Sequence, residues 1–197
     1  MKTTRAYIQS GRAENAIATR ARILAAAQEL FLEKAFEDVT LAAVAKASGV
    51  SHQTVLNHFE SKAGVVLGVA EALATQTDHT RNAARPGDIG GAIAALVTEY
   101  ERIGDANVRW AMSGDRFPEL AAQMDVARAG HRTWLAAMFG DRLPTESPGR
   151  EHVLDALHAA TDVYVWKLLR RDLGRDRAET EKTMADLVVG VLRGIPK

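Results

Sequence analysis

The order of apolar and polar residues follows helical periodicity from Thr19 onward, and no β-strand alternation of useful length interrupts it. The first helix is predicted to end near Lys34, and its apolar face repeats at i, i+4, i+7 and i+8 through Ile23, Ala27, Leu30 and Phe31. Two short helices are predicted next, at about 41–47 and 51–58. Residues 1–18 are polar and mildly basic, and we interpret them as a flexible arm, the alternative being a terminus without a role.

Helical periodicity continues to the end of the chain with a few clear breaks. A long helix is predicted to begin near Lys62, and Arg85-Pro86-Gly87-Asp88 ends it, because proline and glycine interrupt helices. Further helices are predicted at roughly 89–104, 106–114, 118–140, 150–173 and 177–194. The chain is therefore predicted to be all-α, with about nine helices in total.

The most specific local pattern lies between Leu41 and Phe59. Ala45 has a small side chain that lets two helices approach each other, and Gly49, four residues later, suits a tight turn with positive φ. Apolar side chains that hold the two helices at a large angle are supplied by Val44, Val50 and Val55. This order of small, glycine and apolar residues predicts a helix-turn-helix.

The second helix of this motif is short and polar on its outer side. Its polar residues are Ser51, His52, Gln53, Thr54, Asn57 and His58. Such a helix suits insertion into the major groove of DNA, where Gln and Asn pair with adenine edges and Ser or Thr with any base. A polar surface helix in a three-helix bundle is the alternative interpretation.

The segment from Thr19 to Val66 resembles the DNA-binding head of the TetR/AcrR family of transcriptional regulators. The matching positions are Thr40, Val44-Ala45, Ala47-x-Gly49-Val50-Ser51, Thr54 and His58-Phe59-x-Ser61-Lys62. The resemblance covers about a quarter of the chain. It implies a helix-turn-helix DNA-binding domain over 19–62, preceded by the arm and followed by a ligand-binding and dimerisation domain over 63–197.

The resemblance also implies roles for single residues. Thr40 would hold a phosphate at the start of the second helix, where free backbone amides also favour an anion. Base edges would be read by Ser51, His52 and Gln53, and the DNA backbone would be approached by Thr54, His58 and Lys62. Asn57 completes the set of expected DNA-binding residues.

Two positions depart from the family pattern. Leu56 stands where the family usually has a tyrosine; leucine cannot hydrogen-bond, although it can touch a thymine methyl group. Ala35 stands where the family prefers glycine after the first helix. A left-handed conformation there would cost about 1 kcal/mol, unless the helix ends differently.

For the body, the resemblance implies an architecture rather than a motif. The helices at 150–173 and 177–194 would form a homodimer across a two-fold axis, the alternative being that their apolar faces pack within one chain. Those faces contain Val153, Leu157, Ala160, Tyr164, Leu168, Val188, Val191 and Leu192. An unknown small-molecule effector is expected near Tyr100, Trp110, Phe117, Trp134 and Trp166, with plain core packing as the alternative for each.

One polar stripe in the body has metal-like spacing. Glu151, Asp155, His158 and Asp162 fall at i, i+4, i+7 and i+11 on one helix face. Oxygen and nitrogen ligands in such a row can bind a metal ion, but a solvated face or a polar dimer rim accounts for it better. We therefore expect no metal and no cofactor.

Composition excludes several function classes. The 25 Lys and Arg residues balance 25 Asp and Glu, so net charge gives no hint of a nucleic-acid partner. The absence of cysteine excludes disulfides, cysteine-ligated zinc and a thiol nucleophile. No apolar run approaches the roughly 18 residues of a membrane span, and the N-terminus lacks the apolar middle of a signal peptide, so a cytoplasmic protein without a membrane partner is expected.

The function predicted from these patterns is sequence-specific regulation of transcription. A repressor that a small ligand releases from palindromic double-stranded DNA fits best. No Ser-His-Asp order, zincin spacing or nucleotide-binding loop appears, so an enzyme is not expected. The alternative is a helical interaction protein whose DNA-binding head is degenerate, which the leucine at position 56 suggests.

Overall fold

The computed structural model describes the backbone of residues 3–194 and the side chains of residues 13–146 and 148–194. All regular secondary structure in that range is helical, which confirms the predicted all-α class. The chain forms two compact units that divide between Leu73 and Ala74. The sequence places its domain boundary earlier, between residues 62 and 63, where the helix that belongs to both units begins.

The first unit is a small bundle of helices. It contains α1 (Thr3–Glu33), a 3₁₀ turn (Phe36–Asp38), α2 (Leu41–Ser48), α3 (His52–Phe59) and the first part of α4 (Lys62–Arg81). α2 packs against both α1 and α3. The predicted apolar faces meet in a core that includes Ile23, Phe31, Val44, Val55 and Phe59, each at most 6% exposed.

The start of α1 corrects the prediction of a flexible arm over residues 1–18. The helix begins at Thr3 rather than near Thr19, and residues 1 and 2 lie outside the described residues. All side chains at 13–18 are exposed, so this part of the helix buries no apolar stripe and periodicity does not reveal it. Three of those six residues are alanine, which has the highest helix propensity.

The second unit is organised around one central helix. It continues α4 and adds α5 (Ile89–Ser113), α6 (Pro118–Phe139), α7 (Ser147–Thr161), α8 (Val163–Lys167) and α9 (Arg177–Arg193). A 3₁₀ turn (Gly140–Arg142) follows α6, and a π-helical turn (Leu168–Asp172) follows α8. α5 packs against α6, α8 and α9, so it carries much of the apolar core.

Two aspartates act differently from what the sequence suggests. Asp105 does not separate two helices, because α5 is continuous there and the exposed carboxylate pairs with Arg171 at 3.0 Å. Asp162 does separate two helices that periodicity joins as 150–173. Its backbone is extended (φ −67°, ψ 150°), and its side chain accepts a hydrogen bond from the Tyr164 amide at 2.9 Å. It therefore ends α7 and caps α8.

A glycine in the middle of α5 provides the slot for the largest buried side chain of the second unit. Trp166 is fully buried, and a Cβ added at Gly104 would lie only 2.5 to 2.9 Å from three atoms of its indole ring. The centroid of the tilted Tyr100 ring lies 5.9 Å from that of the indole. The indole Nε1 of Trp166 donates a hydrogen bond to the Glu101 carboxylate at 3.3 Å. The absence of a side chain at position 104 thus sets the distance between α5 and α8.

A buried ion pair joins α4 to α5. The Arg81 guanidinium donates two hydrogen bonds to the Glu99 carboxylate, at 2.7 and 3.2 Å, and both residues are at most 7% exposed. A third guanidinium nitrogen lies 3.0 Å from Nδ1 of His131, and the Trp134 ring lies under the charge at 5.0 Å. The charge is therefore compensated inside the unit, as a buried charge requires.

The hydrogen bonds of His131 determine which ring nitrogen carries the proton. Arginine can only donate, so Nδ1 of His131 must be the acceptor in its contact with Arg81. The proton is then on Nε2, which donates to Thr161 Oγ1 at 2.8 Å, and that hydroxyl donates to the Leu157 carbonyl at 2.7 Å. Burial, reinforced by the charge of Arg81, holds the pKa of His131 well below its ordinary value of 6.5.

The Gly104 slot predicts a specific loss of stability. Gly104→Ala should lower the free energy of unfolding by about 1–3 kcal/mol, because the new methyl group overlaps the Trp166 ring. Gly130→Ala on α6 is the matched control: nothing lies within 4 Å of its added Cβ, so it should stabilise by up to about 1 kcal/mol. Urea denaturation measures both, and equal stability of the two variants would contradict the close packing.

The buried histidine predicts a pH dependence of stability. Because the folded-state pKa of His131 is lowered, its stabilising contribution is complete above about pH 6.5 and is lost as pH falls toward the folded-state pKa, at up to about 1.4 kcal/mol per pH unit. His131→Gln should reduce this slope, whereas His152→Asn, at an exposed position, should leave it unchanged. Urea unfolding between pH 5 and 8 tests this, and a slope unaffected by His131→Gln would contradict it.

Candidate nucleic-acid interface

The turn between α2 and α3 has the geometry that its sequence predicts. Gly49 is left-handed (φ 68°, ψ 32°), and the amide of Val50 donates to the Ala45 carbonyl at 3.1 Å. Ala45 is only 4% exposed, so its small side chain lies where the two helices pack together. The helix-turn-helix is thereby fixed by residues whose spacing is visible in the sequence.

Hydroxyl side chains cap both helices of the motif. Thr40 Oγ1 accepts from the Ala43 amide at 3.1 Å, and Ser51 Oγ accepts from the Thr54 amide at 3.1 Å. The Ser51 and Thr54 hydroxyls also hydrogen-bond each other at 2.8 Å. Thr40 keeps its hydroxyl proton for an outside acceptor such as a phosphate, whereas Ser51 and Thr54 are largely engaged with each other.

The outer face of α3 is polar and accessible. His52, Gln53 and Asn57 are exposed, whereas Val55 and Phe59 are buried. One amide hydrogen bond lies on this face: Gln53 Nε2 donates to Asn57 Oδ1 at 2.9 Å. The helix therefore presents hydrogen-bonding groups outward on a fixed support, which is what reading a base edge requires.

The residues expected at the DNA backbone have other contacts as well. Lys62 Nζ donates to the Phe36 carbonyl oxygen and lies 4.0 Å from the centroid of the Phe36 ring. This lysine thus ties the start of α4 to the 3₁₀ turn, a role that the sequence does not reveal. His58 is half-buried, with its ring 6.3 Å from that of Phe59.

The two positions that depart from the family pattern are accommodated without strain. Ala35 has an extended backbone (φ −63°, ψ 149°), so α1 ends without a left-handed residue. Leu56 is half-buried, which leaves part of its side chain accessible on α3.

The sequence did not predict the strained turn that connects α3 to α4. Glu60 has a positive φ of 63° (ψ −40°), and the Ser61 amide donates to the Phe59 carbonyl at 2.6 Å across it. That carbonyl sits so close to Gly64 that a Cβ there would lie 2.0 Å from its oxygen. A side chain at position 64 would therefore force the turn to open.

The residues expected near an effector lie in several places in the second unit. Tyr100, Trp110 and Trp166 are buried, and Tyr100 donates to the Thr161 carbonyl at 3.0 Å. Trp134 and Phe117 are half-buried. The structure brings together Tyr100 and Trp166, whose rings are 5.9 Å apart. An open groove between α4 and α5 has a different lining, which includes His79, Ala83, Ala94 and Thr98.

The stripe with metal-like spacing forms ion pairs. Arg132 donates to Glu151 at 2.5 Å and to Asp155 at 2.6 Å, and His158 lies 3.6 Å from the Asp162 carboxylate. Among the described residues no group of three or more His, Cys, Asp or Glu side chains is placed to hold a metal ion.

In the part of the chain that the structure describes, no helix combines the length and the apolar character needed to cross a bilayer.

Comparison with known proteins bears on both units. Residues 23–69 match the family model of bacterial regulatory proteins of the tetR family. The HTH-type transcriptional regulator AlkX of Mycobacterium tuberculosis is 31% identical over 81 residues, which are 41% of this chain and 38% of that protein. The chain thus matches about two fifths of the length of this curated relative.

Solved structures extend the likeness of fold to most of the chain. A transcriptional regulator from Rhodococcus sp. Rha1 has a TM-score of 0.71 at 21% identity, covering 89% of this chain and 96% of that one. NalD of Pseudomonas aeruginosa, the secondary repressor of the MexAB-OprM multidrug efflux pump, has a TM-score of 0.55 at 22% identity, covering 93% and 98%. At these identities the likeness is one of fold alone.

The family match includes the capped helices, the left-handed glycine turn and the exposed polar helix described above. The relative that aligns with this chain is itself a helix-turn-helix regulator. Residues 23–69 therefore match the DNA-binding segment of the tetR family, and the solved transcriptional regulators extend the likeness of fold, though not of family, to most of the chain.

Proposed function

We propose that this protein is a repressor that binds a palindromic operator as a homodimer, with α3 of each subunit in the major groove. The observation that carries the proposal is the exposed polar face of α3, held by the Gly49 turn inside the segment that matches the family. NalD, which shares the fold, is described as a repressor. The repressor proposed here would act in the cytoplasm, where bacterial chromosomal DNA is found.

The dimer is proposed to form through α8, the π-helical turn and α9. Five of the apolar residues first assigned to this face are buried in the chain's own core: Val153, Leu157, Ala160, Val188 and Leu192. Other large apolar side chains stay 44–52% exposed in this region: Tyr164, Leu168, Leu173 and Leu187. Tyr164 and Leu168 are four residues apart and can form one apolar ridge for a second copy of this face.

An effector site in the second unit is proposed near Trp134. Its indole Nε1 is buried and has no hydrogen-bond partner among the described residues, so a ligand acceptor there would satisfy it. The ring also lies against Arg81, which belongs to α4, and His131. A ligand at this position would therefore contact residues that hold the end of α4, which supports a regulatory role for binding.

The proposed DNA recognition predicts the result of a selection experiment. Purified protein incubated with random duplex DNA should enrich an inverted repeat with half-sites about one helical turn apart, roughly 34 Å. Binding should weaken steeply between about 50 and 200 mM salt, because phosphate contacts release counterions. A folded dimer that enriches no sequence would instead favour the helical interaction protein with a degenerate head.

The proposed dimer face predicts a change in oligomeric state. Leu168→Glu should weaken the dimer at least about tenfold, because two-fold symmetry brings the new carboxylate and its copy into an apolar contact. Val126→Glu on α6 is the matched control, at a residue that is 65% exposed outside this region. Analytical ultracentrifugation compares them, and equal dissociation constants for both variants and the parent would contradict the assignment.

A further inference from the structure

The hydrogen bond between Gln53 and Asn57 has a consequence for which base this protein recognises. The two residues are one helical turn apart on α3, both side chains are exposed, and Gln53 Nε2 donates to Asn57 Oδ1 at 2.9 Å. We propose that Gln53 reads an adenine and that Asn57 is the positioning residue that orients the glutamine amide. This inference rests on the proposed DNA-binding function.

The donor and acceptor inventory of the pair supports adenine. A glutamine side chain has one carbonyl acceptor and two N–H donors, and Asn57 takes one of the donors. The proposal requires that this be the N–H trans to Oε1. The carbonyl and the remaining N–H then form one free edge, which matches the N6 donor and the N7 acceptor of adenine in the major groove.

Asn57 restricts the glutamine to this orientation. A free glutamine on a helix surface can rotate its amide to present either edge, so by itself it discriminates weakly between bases. With its Nε2 tied to Asn57, the amide plane is fixed before DNA binds, and less rotamer freedom is lost on binding. The neighbouring Ser51 and Thr54 hydroxyls hydrogen-bond each other at 2.8 Å.

The same hydrogen bond also determines what Asn57 can recognise. Gln53 takes one acceptor site of its carbonyl, and the proposal assigns the outward contact to its NH₂ donor. A turn of helix advances about 5.4 Å, whereas successive bases are about 3.4 Å apart. The Asn57 donor therefore faces an acceptor one or two bases from the adenine, such as a guanine, a thymine O4 or a phosphate.

Three variants test the pair in the intact protein. The wild-type operator is first defined by selection, and discrimination is then measured as the affinity ratio between it and operators changed at one position. Gln53→Ala should abolish the preference for adenine at one position of each half-site, where the wild type discriminates by about tenfold or more. Asn57→Ala should reduce that preference at least about threefold at the same position, although it leaves Gln53 in place.

Asn57→Asp separates a positioning role from a merely structural one. Aspartate keeps the acceptor for Gln53 Nε2 but has no donor, so it should retain the adenine preference while lowering the overall affinity for DNA through repulsion of phosphates. Replacing the adenine by 7-deazaadenine, which lacks the N7 acceptor, should cost the wild type and Asn57→Asp several-fold in affinity. The same replacement should cost Gln53→Ala nothing.

The outcomes distinguish this inference from the function on which it rests. A wild-type protein that enriches no sequence overturns both. An operator may be found while Gln53→Ala changes no base preference, or while Asn57→Ala leaves the adenine preference intact. In either case the proposed DNA binding stands, and the proposed role of the Gln53–Asn57 pair is wrong. Loss of the adenine preference in Asn57→Asp would also overturn it, because the asparagine would then be donating to Gln53 rather than accepting.

Discussion

The positive charge of Arg81 constrains the four helices around it, because a buried guanidinium is tolerated only where neighbouring groups compensate it. Glu99 supplies the opposite charge, and His131 supplies a neutral acceptor only while its proton is on the other ring nitrogen. The protonated Nε2 of His131 in turn donates a hydrogen bond to the Thr161 hydroxyl, at the end of α7. Four helices are thus held by one chain of donors and acceptors in which no member can be reversed alone.

Much of the fold follows from the sequence, because apolar periodicity marks helices that bury one face. The helix-turn-helix is equally local, since Ala45, Gly49 and Val55 lie within eleven residues of each other and each has a steric reason to be there. Periodicity failed at residues 13–18, where the helix buries nothing, and at Asp162, where a backbone cap interrupts a regular apolar pattern.

The buried hydrogen-bond network of Arg81, Glu99, His131 and Thr161 could not be predicted from the sequence for a different reason. Arg81 and His131 are fifty residues apart, and an arginine near the end of a helix usually indicates solvent exposure. The sequence identifies the aromatic residues of the second unit as candidates, but it does not predict the role of each. Tyr100 and Trp166 pack together in the core, whereas Trp134 has a buried donor that its sequence context does not distinguish.

The candidate interface separates the residues that support α3 from those proposed to read DNA within a short stretch of chain. Val55 and Phe59 fix α3 from below, hydroxyls cap its start, and the strained turn at Glu60 ends it with the Phe59 carbonyl held against Gly64. The exposed polar side chains of α3 are then free to vary without disturbing the fold. Recognition can therefore change by substitution at the outer face while the support stays the same.

The close packing of the Trp166 ring on Gly104 has an evolutionary consequence. A lineage that replaces this glycine by a larger residue loses stability until Trp166 is replaced by a smaller one, because the two side chains would occupy one volume. The reverse order leaves a cavity that costs stability but permits later filling. Positions 104 and 166 are therefore expected to covary among descendants of this chain, although 62 residues separate them. Either order of substitution therefore passes through a less stable intermediate, and only the paired change keeps the volume filled.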